Sequence, residues 1–200
     1  MSVAYLQDEK LFWVSSGTYG ENKIYNLQTY EPVQKWTNFS ATCTAFDSKY
    51  YQYAEGDKNG AVYLLDVSNP QQQQPKKIWS FAMFQGSCTQ VCFNRVGDLA
   101  TSGADGQIKI KKKGETSGSQ RLQAISSVDH LTWSQDDQLI IAVTKQSLEI
   151  WDRSNRKLVN YKTNRRIAGV HMDEKHEGTL IMVVVAVVFK NGEADSSMKV

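Results

Sequence analysis

Ser147-Leu148-Glu149-Ile150-Trp151-Asp152 is the last and clearest copy of a unit that returns along this chain. Earlier copies read Lys23-Ile24-Tyr25-Asn26, Tyr63-Leu64-Leu65-Asp66 and Lys109-Ile110-Lys111-Lys112. Their final positions are 26, 66, 112 and 152, so the steps are 40, 46 and 40 residues. A steady period of this length marks a repeat architecture. A step of about 40–45 residues matches one four-stranded propeller blade.

Working outward from that unit, each blade should run through four strands, a to d, with apolar and polar residues alternating. Strand a should be short and end on a large apolar residue, as Cys43-Thr44-Ala45-Phe46, Gln90-Val91-Cys92-Phe93 and His130-Leu131-Thr132-Trp133 do. Polar turns follow at Asp47-Ser48-Lys49, at Asn94 to Asp98 and at Ser134 to Asp137. Their Asn, Asp, Ser and Gly residues bond the local backbone or tolerate positive φ. Gly56, Gly103 and Val143 each lie ten residues beyond the large residue that ends strand a, which predicts one shared register. The b–c connections Asp57-Lys58-Asn59-Gly60 and Asp105-Gly106 read as two-residue hairpin turns with positive φ at both central positions. Thr18-Tyr19-Gly20 and Lys145-Gln146 fill the same place in the first and fourth blades. Strand d is expected at Pro32 to Thr37, Lys76 to Phe81, Arg121 to Ser126 and Lys157 to Lys162.

Val3 to Leu6 supplies strand a of the first blade. Arg166 to Val170 opens a fifth, with Thr179 to Phe189 as its strand b. The expected units are therefore 3–37, 41–81, 88–126, 129–162 and a partial 166–200, all in one propeller segment.

Ile150-Trp151-Asp152, preceded by Trp133 and its polar turn, resembles a WD40 repeat. Thr101 to Ile110 is similar to the b–c hairpin of that family. The resemblance covers roughly residues 3 to 171 and implies a WD40-like all-β propeller. It marks Gly56, Asp57, Gly60, Gly103, Asp105, Gly106, Trp133, Trp151 and Asp152 as structural repeat positions. No Gly-His pair precedes any strand a, and Lys112 and Asn26 stand where the family has the terminal Asp. The resemblance also implies a non-catalytic scaffold within a multiprotein assembly, with other proteins as partners.

Four blades and a fragment are fewer than the seven of a common propeller ring, so the fold is expected to be incomplete. Val183 to Val188 is apolar on both faces, as a strand covered on both sides would be. Another chain, or more of the same design, is expected to close the ring, in preference to closure of this chain as a small ring.

The net charge of +2 is too small to argue for nucleic acid. The opening residues lack the basic flank and apolar core of a signal peptide, and the ten-residue apolar run Leu180 to Phe189 is too short for a membrane-spanning helix. The expectation is a cytoplasmic protein with no membrane contact, whose Cys43, Cys88 and Cys92 stay reduced. The Cys88–Cys92 spacing and the His171 to His176 segment do not match zinc-ligand patterns, and no cofactor or metal is expected. No nucleophile elbow and no phosphate loop occur, so no enzyme activity is expected. Gln71 to Gln74 between prolines reads as a c–d loop.

One basic stretch is a candidate partner contact. Alternation places Lys109, Lys111 and Lys113 on one side of strand c, with Ile108 and Ile110 on the other. Arg121, Arg165 and Arg166 add to it. The functional reading is an acidic surface or RNA as partner; the competing reading is a solvated strand whose lysines guard an edge. The aromatic cluster Tyr50, Tyr51, Tyr53, Trp79, Phe81 and Phe84 is read as core.

Overall fold

A computed structural model describes residues 2–5, 11–16, 21–26, 28–37, 41–69, 72, 74–82, 84–115, 119–164, 166–167, 170–172, 182–184, 189–190 and 193–194. Four antiparallel sheets of four strands follow one another along the chain. The first holds β1 (Ser2–Tyr5), β2 (Leu11–Ser16), β3 (Glu21–Asn26) and β4 (Pro32–Thr37). The second holds β5 (Ala41–Asp47), β6 (Gln52–Asp57), β7 (Ala61–Asp66) and β8 (Lys76–Ala82). The third holds β9 (Cys88–Phe93), β10 (Leu99–Gly103), β11 (Gln107–Lys111) and β12 (Gln120–Gln123). The fourth holds β13 (Val128–Trp133), β14 (Leu139–Thr144), β15 (Ser147–Asp152) and β16 (Lys157–Lys162). In every sheet the strands lie in chain order, a to d. Short pairs β17 (Val170–Met172) with β18 (Met182–Val184), and β19 (Phe189–Lys190) with β20 (Glu193–Ala194), follow. This is a WD40-like β-propeller of four blades and part of a fifth.

Hydrophobic clusters join neighbouring sheets. Ile24 and Trp36 of the first sheet meet Tyr53 and Leu65 of the second. Ala54, Val62 and Leu64 meet Cys88, Val91 and Leu99 of the third. Ala100, Ile108 and Ile110 meet Leu131, Trp133, Ile140 and Trp151 of the fourth. A further cluster, Ile141, Val143, Leu148, Ile150 and Ile167, lies on the other face of the fourth sheet. Strands b and c of the second, third and fourth blades are therefore covered on both sides. All of Leu99–Gly103 is buried, and in β15 only Asp152 is not. The expected alternation fails here because a blade between two blades has no solvated face. It survives on the outer strand β4, where Gln34 and Trp36 are buried between exposed neighbours.

Two turn readings change. The Gly60 amide donates to the Asp57 carbonyl and the Gly106 amide to the Gly103 carbonyl, at 3.2 and 3.0 Å. Positive φ occurs only at the closing glycines, +82° and +77°, and not at Asn59 or Asp105. These are three-residue connections with a glycine in the left-handed region. The ten-residue spacing is also not a register. Phe46 pairs with Tyr53 and Trp133 with Ile140, seven positions on, but Phe93 pairs with Leu99, six on. Gly103 thus opens its turn where Asp57 opens the equivalent one. Gly56 lies one residue earlier, and a Cβ there would strike the Cys88 and Cys43 sulfurs.

The other limits lie close to expectation. β4 and β16 match the expected strand d, β12 is shorter than Arg121 to Ser126, and β17 begins at Val170 rather than ending there. Thr18 to Gly20, Gln71, Gln73, Arg165 and His176 lie outside the described residues, as does most of Thr179 to Phe189.

Candidate interaction surface

The innermost and outermost strands of the blades are both irregular, and in a repeated way. A bulge opens strand a in the second, third and fourth blades. The pairing skips Thr42 in β5, Thr89 in β9 and Asp129 in β13. A second bulge sits on strand d. The skipped residues there are Val33 in β4, Ile78 in β8 and Leu158 in β16. A bulge adds one residue and re-aims its side chain. All three are large apolar residues, and they are 37 %, 46 % and 43 % exposed, respectively. The third blade pairs β11 with β12 without a shift and lacks this feature. Tyr30, Ile125, Val159 and Tyr161 are exposed on the same outer strands or their flanking turns. The rim of the propeller therefore presents apolar side chains at equivalent places on three blades.

The sequence contains a trace of this. Ile78-Trp79 and Leu158-Val159 are adjacent apolar pairs that break alternation. Variable c–d loop lengths conceal that they fall at one position of the repeat.

The basic stretch has a different setting. Lys109 is 3 % exposed and Lys111 is 6 % exposed, so neither is solvated. Lys109 Nζ lies 4.7 Å from the Phe84 ring centre, and Lys111 Nζ lies 4.3 Å from that of Trp79. Lys113 lies over Tyr50. Two lysines of β11 and one from the turn after it thus meet three aromatic residues of the second blade and its following segment, and cation–π attraction adds to burial at the first two. Burial pushes the Lys111 ammonium below the usual lysine range. Burial first, and the nearby Arg121 charge second, does the same to Lys109. Lys112, Lys113, Arg121 and Arg166 are exposed. The aromatic cluster and the lysines form one seam. The link was absent from the sequence because sheet neighbours, not strand neighbours, create it.

The repeat positions act as turn and seam residues. Asp57 accepts from the Asn59 and Ala61 amides, both at 2.8 Å. Asp105 accepts from Gln107 N at 3.0 Å through one oxygen and from Gln85 N at 2.8 Å through the other, so it also ties down the segment that enters the third blade. Asp152 accepts from Ser154 N at 2.9 Å and Arg156 N at 3.0 Å. The Ser154 hydroxyl, before the other contacts, holds the Asp152 carboxyl below the usual carboxylate range. Asn26 performs the same task with its side-chain oxygen, on Gln28 N and Thr29 N. Lys112 cannot, and Asp98 of the neighbouring a–b turn accepts from Lys113 N instead, at 3.0 Å. Trp133 and Trp151 are buried in the cluster between the third and fourth blades.

Two buried carboxylates latch that same junction. Glu149 is fully buried; it accepts from Ile125 N at 2.9 Å and pairs with Lys157. Asp98 pairs with Arg153, whose guanidinium lies 5.3 Å from the Trp133 ring centre. Among the described residues, no group of three His, Cys, Asp or Glu residues could hold a metal ion, and no helix is long and apolar enough to cross a membrane.

No family profile and no curated protein matches the chain. Among solved structures, it is similar to a chain in the crystal structure of a mitotic checkpoint complex. The TM-score is 0.70 and the identity 14 %, over 84 % of this chain and 55 % of that one. The chain thus spans about half the length of the solved protein that it matches. At this identity the likeness is one of fold: a WD40-like propeller arrangement reached with a divergent sequence.

Proposed function

We propose that this chain is a non-catalytic WD-repeat platform that binds other proteins through its rim within a multiprotein assembly. The observation that carries this reading is the recurring bulge that turns Val33, Ile78 and Leu158 outward on three blades. Apolar side chains held outward on rigid strands suit protein partners, and Tyr161 on β16 adds an aromatic anchor. The likeness to a chain of a multiprotein complex supports the same reading. In this reading the platform is cytoplasmic, and another chain completes its ring.

A triple variant Val33→Asp, Ile78→Asp and Leu158→Asp tests the rim. Exposed substitutions of this kind shift stability by only about 0.5 kcal/mol each, so the fold survives. Partner capture should fall about ten-fold or more, as loss of interface anchors would cause. Unchanged capture would overturn the rim reading. Light scattering tests ring completion, and a compact monomer in the presence of its captured partner would count against it.

A second reading is an acidic surface or RNA bound by exposed Lys113, Arg121 and Arg166. The observation in its favour is that Lys113 is held at a turn by Asp98 and Tyr50, which fixes its position. A steep fall in RNA affinity with added salt supports this reading, and salt-insensitive binding removes it.

A further inference from the structure

Two of the three cysteines meet across a junction between blades. Cys43 lies on β5, the innermost strand of the second sheet, and Cys88 on β9, the innermost strand of the third. Their sulfurs are 3.6 Å apart. Thr42 donates its hydroxyl to the carbonyls of both Gly56 and Cys88 and so clamps the two strands at this level. Gly56 leaves the space in which the sulfurs sit, since any side chain there would collide with both. Cys88 also lines an open cavity of about 400 Å³, together with Thr42, Gln90, Asp129, His130 and Arg166. Cys43 is half-buried, so the pair is close to solvent at one end.

We propose that Cys43 and Cys88 form a reversible disulfide that staples the second blade to the third when a hydroperoxide reaches the half-buried Cys43. In the first step the Cys43 thiolate attacks one peroxide oxygen. The O–O bond breaks, the leaving hydroxide takes up the proton lost by the thiol, and Cys43 becomes a sulfenic acid. In the second step the Cys88 sulfur attacks Cys43 Sγ. The S–O bond breaks, and a second water departs with the Cys88 proton. Two thiols are oxidised by two electrons, and hydrogen peroxide is reduced to two waters. A bonded pair of sulfurs sits at about 2.0 Å, so the two must close by roughly 1.5 Å, the scale of a side-chain torsion adjustment.

The thiol contact divides the acidity of the pair. The Cys88 thiol holds Cys43 below the usual thiol value, and the same contact raises Cys88. Cys43 is also the more exposed cysteine of the two, which makes its sulfur the one that attacks the peroxide. Cys92 provides an internal control, because burial pushes its thiol up to about 12 and it packs between the third and fourth blades instead.

The full chain is treated with hydrogen peroxide, blocked with iodoacetamide, digested and weighed with and without dithiothreitol. The expected product is one peptide pair joining Cys43 to Cys88, lighter by two hydrogens and released by dithiothreitol. Cys92 should remain alkylated, and Cys43 should lose reactivity about ten-fold faster than Cys92. Cys88→Ser should leave a sulfenic acid on Cys43 that dimedone traps; the unsubstituted chain decides the matter if that variant does not fold. Full alkylation of Cys43 and Cys88 after peroxide overturns the proposal. So does equal loss at Cys92, or a Cys43 cross-link between two molecules.

Discussion

The junction between the second and third blades and the one between the third and fourth use the same repeat positions for opposite chemistry. Lys109 and Glu149 each lie three residues before the end of the repeat unit, on strand c, facing the preceding blade. Lys111 and Trp151 occupy the next position on that face. In the later junction the buried carboxylate of Glu149 has Lys157, and Trp151 fills the apolar seam. In the earlier junction Lys109 and Lys111 lie over Phe84 and Trp79, and no hydrogen bond reaches Lys111 Nζ. A repeat therefore fixes where a side chain goes, and the neighbouring blade decides which side chain can stay there. Ion pairing satisfies one seam, whereas aromatic rings and a lowered lysine affinity for protons make the other tolerable.

The comparison can be broken most forcefully at Trp151. Trp151→Ala removes one of the two tryptophans of the later junction and should cost about 4 kcal/mol in a urea melt. A loss no greater than that of an average surface change would show that this seam does not depend on it. Next in size is Lys157→Met. It leaves the Glu149 carboxylate buried without its cation, and the expected loss is about 3 kcal/mol. The matching change in the other seam, Lys111→Met, should be neutral or stabilising by about 1 kcal/mol, because a buried cation is replaced by an apolar chain of similar length. Equal losses in the two variants would erase the distinction between the junctions.

The pH dependence sharpens the same contrast. Lys109 and Lys111 both have folded-state affinities for the proton below those of the open chain. In the window beneath the ordinary lysine value of 10.5 the unfolded chain therefore binds more protons, and stability should rise as pH increases through that window. Lys111→Met should flatten the rise in urea midpoint, and Lys109→Met with Lys111→Met should flatten it further. A stability that falls over the same range would contradict the buried-lysine seam. The smallest effect is expected at Lys112→Asp, which restores the residue that the repeat has at position 152. Asp98 already accepts from the Lys113 amide there, so the gain should stay within about 0.5 kcal/mol.

Much of the fold was legible because it is local. The forty-residue step, the turn residues Asp57 and Gly106 and the limits of strand d in the first and fourth blades depend on neighbours in sequence. The junctions were not legible in the same way. Lys109-Ile110-Lys111 reads as a half-solvated strand, and only the position of the second blade shows that both of its faces are covered. The rim had the same fate. Val33, Ile78 and Leu158 are equivalent only after the strand d bulges are known, and c–d connections of unequal length hide that from any fixed spacing. The apparent register of Gly56 with Gly103 failed because an a–b turn one residue shorter in the third blade offsets it.

Among the described residues, three of the four hydrophobic clusters lie between sheets rather than inside one. The second and third blades are each half of two different cores, and the chain's cohesion is held by pairs of adjacent units, as in a one-dimensional array. Excising the third blade, for instance, would set the Val62 and Leu64 side of the second against the Trp133 and Trp151 side of the fourth, two faces that were never shaped for each other. Unfolding should consequently spread from one unit to the next and halt where the contact between two of them is strongest.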